Sequence, residues 1–333
     1  MGISRISQAL TAREILQLVE KDLRRVEECM RLESIASVDA ITAINRHIQD
    51  SGGKRLRPTL VLLSTQLFGP MNDLAISMAA VVEMIHTATL VHDDVIDAAE
   101  TRRGKPSTNA LWGNQTSVLA GDWLYMQAFQ AAVRARNFRV LDLLIGLTQL
   151  MVEGELIQLE RIGKIEITET DYMELIDRKT ASLFSTCARL GAMAGGASET
   201  DEGKLGEFAW NLGIAFQLVD DVLDFTSREK ILGKPVGNDL REGKVTLPIL
   251  YALQQATPQE REAVATVLRE REYRTVPFSQ ITAILKKYHG IERAMERAES
   301  FTERARATIQ EFPESAYQRA MLSVTDLVTA RDH

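Results

Sequence analysis

The sequence predicts an all-α protein, one large helical bundle with its site in a central cavity between facing helices. Three observations predict it. Apolar residues recur at helical spacing along the chain, as in Ile15, Leu18, Val19, Leu23, Val26 and Met30. No alternating strand pattern appears, and no repeat of fixed period. Two apolar runs each carry Asp-Asp-x-x-Asp, at Asp93, Asp94, Asp97 and again at Asp220, Asp221, Asp224.

The chain has 333 residues, 45% of them apolar, which is ample for a core. No shift in composition marks a boundary, so one domain over 1–333 is expected. The net charge is −7 and the cations sit singly or in pairs. That excludes a basic stripe of the kind that binds nucleic acid. Cys29 and Cys187 lack metal-ligand spacing and read as small apolar fillers in a reducing compartment. The N-terminus carries no signal-peptide pattern, and Ile6 stands where a myristoylation signal starting at Gly2 wants Ser or Thr. No uninterrupted apolar run of spanning length is seen, so no membrane span is expected and the cytoplasm is the expected location.

The elements follow from spacing and punctuation. Helices are expected over 11–32 and from about Ser37 to Gln49, ended by Asp50-Ser51-Gly52-Gly53. Gly52-Gly53-Lys54-Arg55-Leu56-Arg57-Pro58 then combines close backbone approach, three cations and a proline suited to a first helical turn, as a phosphate-binding turn does. An apolar helix runs to Phe68 and stops at Gly69-Pro70. Asn72 or Asp73 caps the long helix that reaches the first acidic turn. Thr101-Arg102-Arg103-Gly104-Lys105 reads as a loop whose two guanidiniums suit separate phosphate groups. Helices are expected over 116–134, 139–161, 168–191 and 202–226, and Gly233 to Pro248 reads as a ligand-covering loop. Amphipathic helices with turns near Pro258, Pro277 and Gly290 fill the rest.

On a helix, residues three and four apart share a face, so each acidic turn presents stacked carboxylates that repel one another. Two such turns inside apolar helices call for a compensating cation. Oxygen-only ligands suit Mg²⁺, which keeps part of its shell for phosphate oxygens. The two turns are therefore expected to face each other across a diphosphate. Glu83-x-x-His86 has di-iron spacing, but no other histidine has a Glu three positions before it, so that reading is rejected. His86 and His92 lie close to the first acidic turn, and His86 is expected to touch ligand.

These motifs together, with Lys179-Thr180 and Phe216-Gln217 before the second acidic turn, resemble the trans-isoprenyl diphosphate synthases (polyprenyl synthetases), of the octaprenyl and solanesyl type. The match runs in order from about residue 52 to 248. The resemblance implies that isopentenyl diphosphate is added repeatedly to an allylic diphosphate. It implies that Asp93, Asp94, Asp97, Asp220, Asp221 and Asp224 hold Mg²⁺, three ions per active site with substrate bound. Arg102, Lys179 and Lys234 would add positive charge to the departing diphosphate. Lys54, Arg57, His86 and Arg103 would bind isopentenyl diphosphate. Thr180 and Gln217 would aim oxygen dipoles at the allylic cation. It also implies a homodimer.

Thr89 and Ala88 stand four and five positions before Asp93, where farnesyl synthases of this family place an aromatic residue. Their absence leaves a tunnel open, with its floor among Met84, Ile85, Trp123, Tyr125 and Phe129. An octaprenyl to decaprenyl product, a quinone side-chain precursor, is expected, with a farnesyl or geranylgeranyl product as the shorter alternative. A non-catalytic partner subunit and a class I terpene cyclase are the rival readings. Two intact acidic turns speak against the first, and Lys54, Arg57 and Arg103 against the second.

Overall fold

The computed structural model describes residues 9–50, 52–53, 55–227 and 236–330. Met1, Gly2, Lys54, Lys234 and the C-terminal Arg331-Asp332-His333 lie outside the described residues. Side-chain caps start half of the described α-helices. Thr11 accepts from Glu14 N and opens α1 (Ala12–Glu33) through a full capping box. α2 (Asp39–Asp50) follows, then α3 (Leu56–Phe68), whose N-cap Arg55 sits in the left-handed region at φ 49°. Asn72 accepts from Ala75 N and opens α4 (Asp73–Ile96).

Next come α5 (Thr108–Trp112), α6 (Asn114–Arg134), α7 (Phe138–Arg161) and α8 (Glu169–Ile176). A π-helical turn, Asp177–Ala181, leads into α9 (Ser182–Gly195), which Gly196 ends at φ 84°. α10 (Glu199–Thr226) carries the second acidic turn. α11 (Asn238–Arg241), α12 (Leu247–Leu253), α13 (Pro258–Glu270), α14 (Phe278–Lys287), α15 (Gly290–Gln310) and α16 (Ala316–Thr329) complete the chain.

The all-α expectation holds, with two local differences. Thr101–Arg102 pairs antiparallel with Lys105–Pro106, so the expected loop is a short β-ribbon. Arg103 and Gly104 both have positive φ, 53° and 75°, as a tight two-residue hairpin turn requires. Strands of two residues have no room for a periodic signal. The expected helix over 168–191 is interrupted by the π turn that carries Lys179 and Thr180. Such an insertion commonly sits at functional sites.

α4 and α10 are the inner helices. α4 packs against α6, α3 and α1, and α10 against α15 and α9. One apolar cluster extends from Ile15 to Val328. α4 also bears on the expectation of no membrane span. Among the described residues it is the one helix long and apolar enough to cross a membrane, with mean hydropathy 1.7 over its best window. Yet 67% of that window is buried inside the protein, as the core helix of a bundle is.

Candidate active site

One stripe of α4 builds the site. His86, Thr89, Leu90, Asp93 and Ile96 recur at spacings of three and four and line a cavity of about 480 Å³. Val118 and Tyr125 of α6 and Met151, Val152 and Leu156 of α7 form its apolar walls. Gly121 lets α6 come this close. A Cβ there would lie 2.3 Å from His92 Nε2, and that imidazole hydrogen-bonds Val118 O at 3.0 Å. His92 also stacks on Tyr125 with ring centroids 6.0 Å apart. Ala88 is fully buried and does not line the cavity, so of the two positions before Asp93 it is Thr89 that faces it.

Asp93 stands at the polar end. Burial raises its pKa from 3.8 to about 6, against the pull of Lys179, whose Nζ lies 4.0 Å away. Asp97 ends α4 and lies 3.5 Å from Lys244 Nζ; burial raises its pKa as well. Asp94 points elsewhere. It is 2% exposed, and its Oδ1 accepts from Arg102 Nη2 at 2.6 Å and Nε at 2.7 Å. Both contacts go to Arg102, so this carboxylate is engaged in an ion pair that also holds Arg102.

The second acidic turn divides the same way. Asp220 is exposed. Asp221 is buried and accepts from Tyr172 at 2.5 Å and from Gln217 at 2.8 Å. Asp224 is fully buried and accepts from the backbone of Asn238 and Asp239, tying down the start of α11. Asp221 diverges from Asp220 by about 100°, as consecutive helical side chains do, whereas Asp224 lies one turn on from Asp220 and is taken up by the backbone at the start of α11. Asp93, Asp97 and Asp220 remain. Among the described residues no three His, Cys, Asp or Glu side chains are grouped closely enough to hold a cation alone. Hard oxygen donors that need oxygens from outside fit a divalent ion shared with a bound phosphate.

A basic pocket adjoins the stripe. Arg57 Nη1 meets His86 Nε2 at 3.0 Å. Burial, then Arg57, Arg103 and Arg102, hold the His86 pKa well below 6.5, so the imidazole is neutral. Arg103, at the hairpin tip, lies over Gly53, where a Cβ would be 2.9 Å from its Nη1. Arg55 pairs with the buried Glu83 at 3.0 Å. The predicted ligand contacts at Lys54 and Lys234 fall outside the described residues.

Residues 38–285 match the polyprenyl synthetase family. The chain belongs to that family. As a polyprenyl synthetase it is a prenyltransferase of isoprenoid biosynthesis. It is 35% identical over 320 residues to an octaprenyl diphosphate synthase of Haemophilus influenzae, covering 96% of this chain and 97% of that protein. It is 37% identical over 266 residues to a geranylgeranyl diphosphate synthase of Sulfolobus acidocaldarius, covering 78% and 80%. Its fold matches the crystal structure of a polyprenyl synthase from Caulobacter crescentus complexed with calcium and isoprenyl diphosphate. That match has a TM-score of 0.92 at 33% identity and covers 97% and 99% of the two chains.

Sequence reasoning missed several residues of this synthetase's site. Lys244 bridges Asp97 and Glu242, and Lys179 donates to Glu155, with Gln158 at 3.4 Å. Lys244 was visible in Gly-Lys-x-Thr-Leu-Pro, and Glu155 in Glu153-Gly154-Glu155. Tyr172 gave no signal, because an apolar helical face hides a polar atom aimed inward, and Glu83 stood out only in the rejected di-iron spacing.

Proposed function

We propose that this synthetase adds isopentenyl diphosphate repeatedly to an allylic diphosphate and releases an all-trans octaprenyl to decaprenyl diphosphate, a quinone side-chain precursor. One observation carries the reading: the α4 stripe joins a carboxylate end, Asp93, to an apolar cavity, with a separate basic pocket beside it. Two diphosphates then have two places, and the growing tail has a third.

Asp93 and Asp97 on one side, and Asp220 on the other, hold Mg²⁺ at the allylic diphosphate. Bound Mg²⁺ supplies charge stabilisation of the departing diphosphate. Lys179 adds a cation beside Asp93, and Lys234 is proposed to add another. Arg102 anchors Asp94 and so sets the hairpin, while its neighbour Arg103 reaches the second diphosphate with Lys54 and Arg57. His86 is neutral and accepts from Arg57, which leaves its other ring nitrogen as a donor to phosphate. Thr180 and Gln217 turn oxygens toward the allylic cation. The tail runs along Thr89 between α6 and α7, with no aromatic ring across the path at Thr89. The chain acts as one domain, as a homodimer in the cytoplasm, where Cys29 and Cys187 stay reduced.

Mass spectrometry of the product made by purified protein with Mg²⁺, farnesyl diphosphate and isopentenyl diphosphate tests this. A ladder ending at octaprenyl or longer is expected. A geranylgeranyl end-point would transfer the reading to the short-chain alternative, and no elongation at all would overturn it.

A further inference from the structure

Four polar side chains from three elements form one hydrogen-bonded line beside the cavity. Tyr172 on α8 donates its hydroxyl to Asp221 Oδ2 at 2.5 Å. Gln217, one turn before Asp221 on α10, donates Nε2 to Oδ1 at 2.8 Å. Thr180, in the π turn, donates Oγ1 to Gln217 Oε1 at 2.9 Å. Tyr172 and Asp221 are 3% and 4% exposed, so these partners cannot readily be exchanged for water. All four groups line a smaller cavity of about 190 Å³, and only Thr180 among them also lines the large apolar one.

The order of donors and acceptors follows from the carboxylate. A primary amide can be turned end for end without changing its shape, and only its partners decide which end points where. Both oxygens of Asp221 accept, one from Tyr172 and one from Gln217. The carboxylate therefore draws the NH₂ of Gln217 to itself and leaves the amide oxygen facing Thr180. The Thr180 hydrogen is then spent on that oxygen, and the hydroxyl presents lone pairs on its other side. Tyr172 donates to the second carboxylate oxygen, so each oxygen of Asp221 is engaged within the line.

We propose that Tyr172 and Asp221 are positioning residues that fix the sense of this line, so that Thr180 offers oxygen lone pairs and not a hydrogen to the developing allylic cation. The inference deepens the proposed function and rests on its placement of Thr180 and Gln217 beside that cation. It also separates Asp221 from its neighbour Asp220. The first serves the hydrogen-bonded line and the second the metal.

A double-mutant cycle with two readouts tests it. Single-turnover rates are measured for Tyr172→Phe, Thr180→Val and the pair, and for Asp221→Asn, which replaces one of the two accepting oxygens by a donor. Tyr172→Phe is expected to slow the parent about tenfold, the scale of one buried hydrogen bond, with KM for both diphosphates unchanged. In the Thr180→Val background the same change should cost less than about twofold, because the line no longer ends in a hydroxyl. Calorimetry of Mg²⁺ with inorganic pyrophosphate supplies the second readout and needs no turnover. Asp221→Asn should leave that affinity within about twofold, and Asp220→Asn should weaken it more than about tenfold. Equal costs of Tyr172→Phe in both backgrounds, or equal metal losses at Asp220 and Asp221, would overturn the proposal. Failure of the parent to elongate would strike the proposed function instead, and calorimetry would still decide Asp221.

Discussion

Asp93 holds its proton more tightly in the folded protein than in the unfolded chain, because its burial costs more than Lys179 returns. A carboxyl whose folded pKa is raised lowers stability as pH climbs through the interval between the two values, here 3.8 to about 6. Without metal, the folded state should therefore lose up to about 3 kcal/mol across that window at this residue. Asp93→Asn should then be more stable than the parent at pH 7 in metal-free urea melts, and the gap should close below pH 4. As a proposed Mg²⁺ ligand, the same carboxylate must be deprotonated to bind the metal. Apparent Mg²⁺ affinity should fall by about tenfold per unit below pH 6, read by calorimetry with pyrophosphate. Asp93→Ala should cut turnover by about 10³-fold or more while circular dichroism stays unchanged.

At the scale of the element, α4 sets what the site can do. Its stripe at Thr89 faces the cavity, whereas Ala88 packs in the core. An aromatic plug therefore belongs at Thr89. Thr89→Phe should shorten the product by several isoprene units with the first condensation little changed, measured by mass spectrometry of products over time. The register of α4 against α6 depends on Gly121 lying under His92, the residue before Asp93. Gly121→Ala should destabilise by about 1–3 kcal/mol through overpacking, despite the better helix propensity of alanine. Turnover should fall with it, because His92 must move and takes the end of the stripe along. Thermal melts and initial rates on the same preparation check both. The long helices were readable because their apolar period repeats over many turns. The hairpin and the π turn were not, since each is a handful of residues whose shape comes from tertiary contacts. The acidic turns were legible as residues but not as directions: nothing in Asp-Asp-x-x-Asp says that Arg102 will claim Asp94, or that Tyr172 and α11 will claim Asp221 and Asp224.

The whole molecule leaves one face unexplained by its own core. Leu119, Met126 and Val133 recur every seven residues on α6, and Ile145, Val152 and Leu156 form a matching row on α7. All are 47–65% exposed. Phe138, the first residue of α7, is 83% exposed. Exposed apolar rows of this kind suit an interface. Their position carries the argument further, because Val152 and Leu156 also line the large cavity. The wall that meets the growing tail on one side therefore meets solvent, or a second chain, on the other. A homodimer packed through α6 and α7 would cover that wall and keep a long tail from water. Leu119→Glu with Met126→Glu changes the face without touching a cavity-lining residue. The parent should sediment at twice the 37.2 kDa chain mass and the double variant at once that mass. The monomer should still perform the first condensation, because Asp93, Asp97 and Asp220 all belong to one chain. Its products should stop short, because the tail then leaves a wall that solvent can reach. A monomeric parent, or a monomeric variant with the parent's full product length, would mean that the cavity is closed by this chain alone.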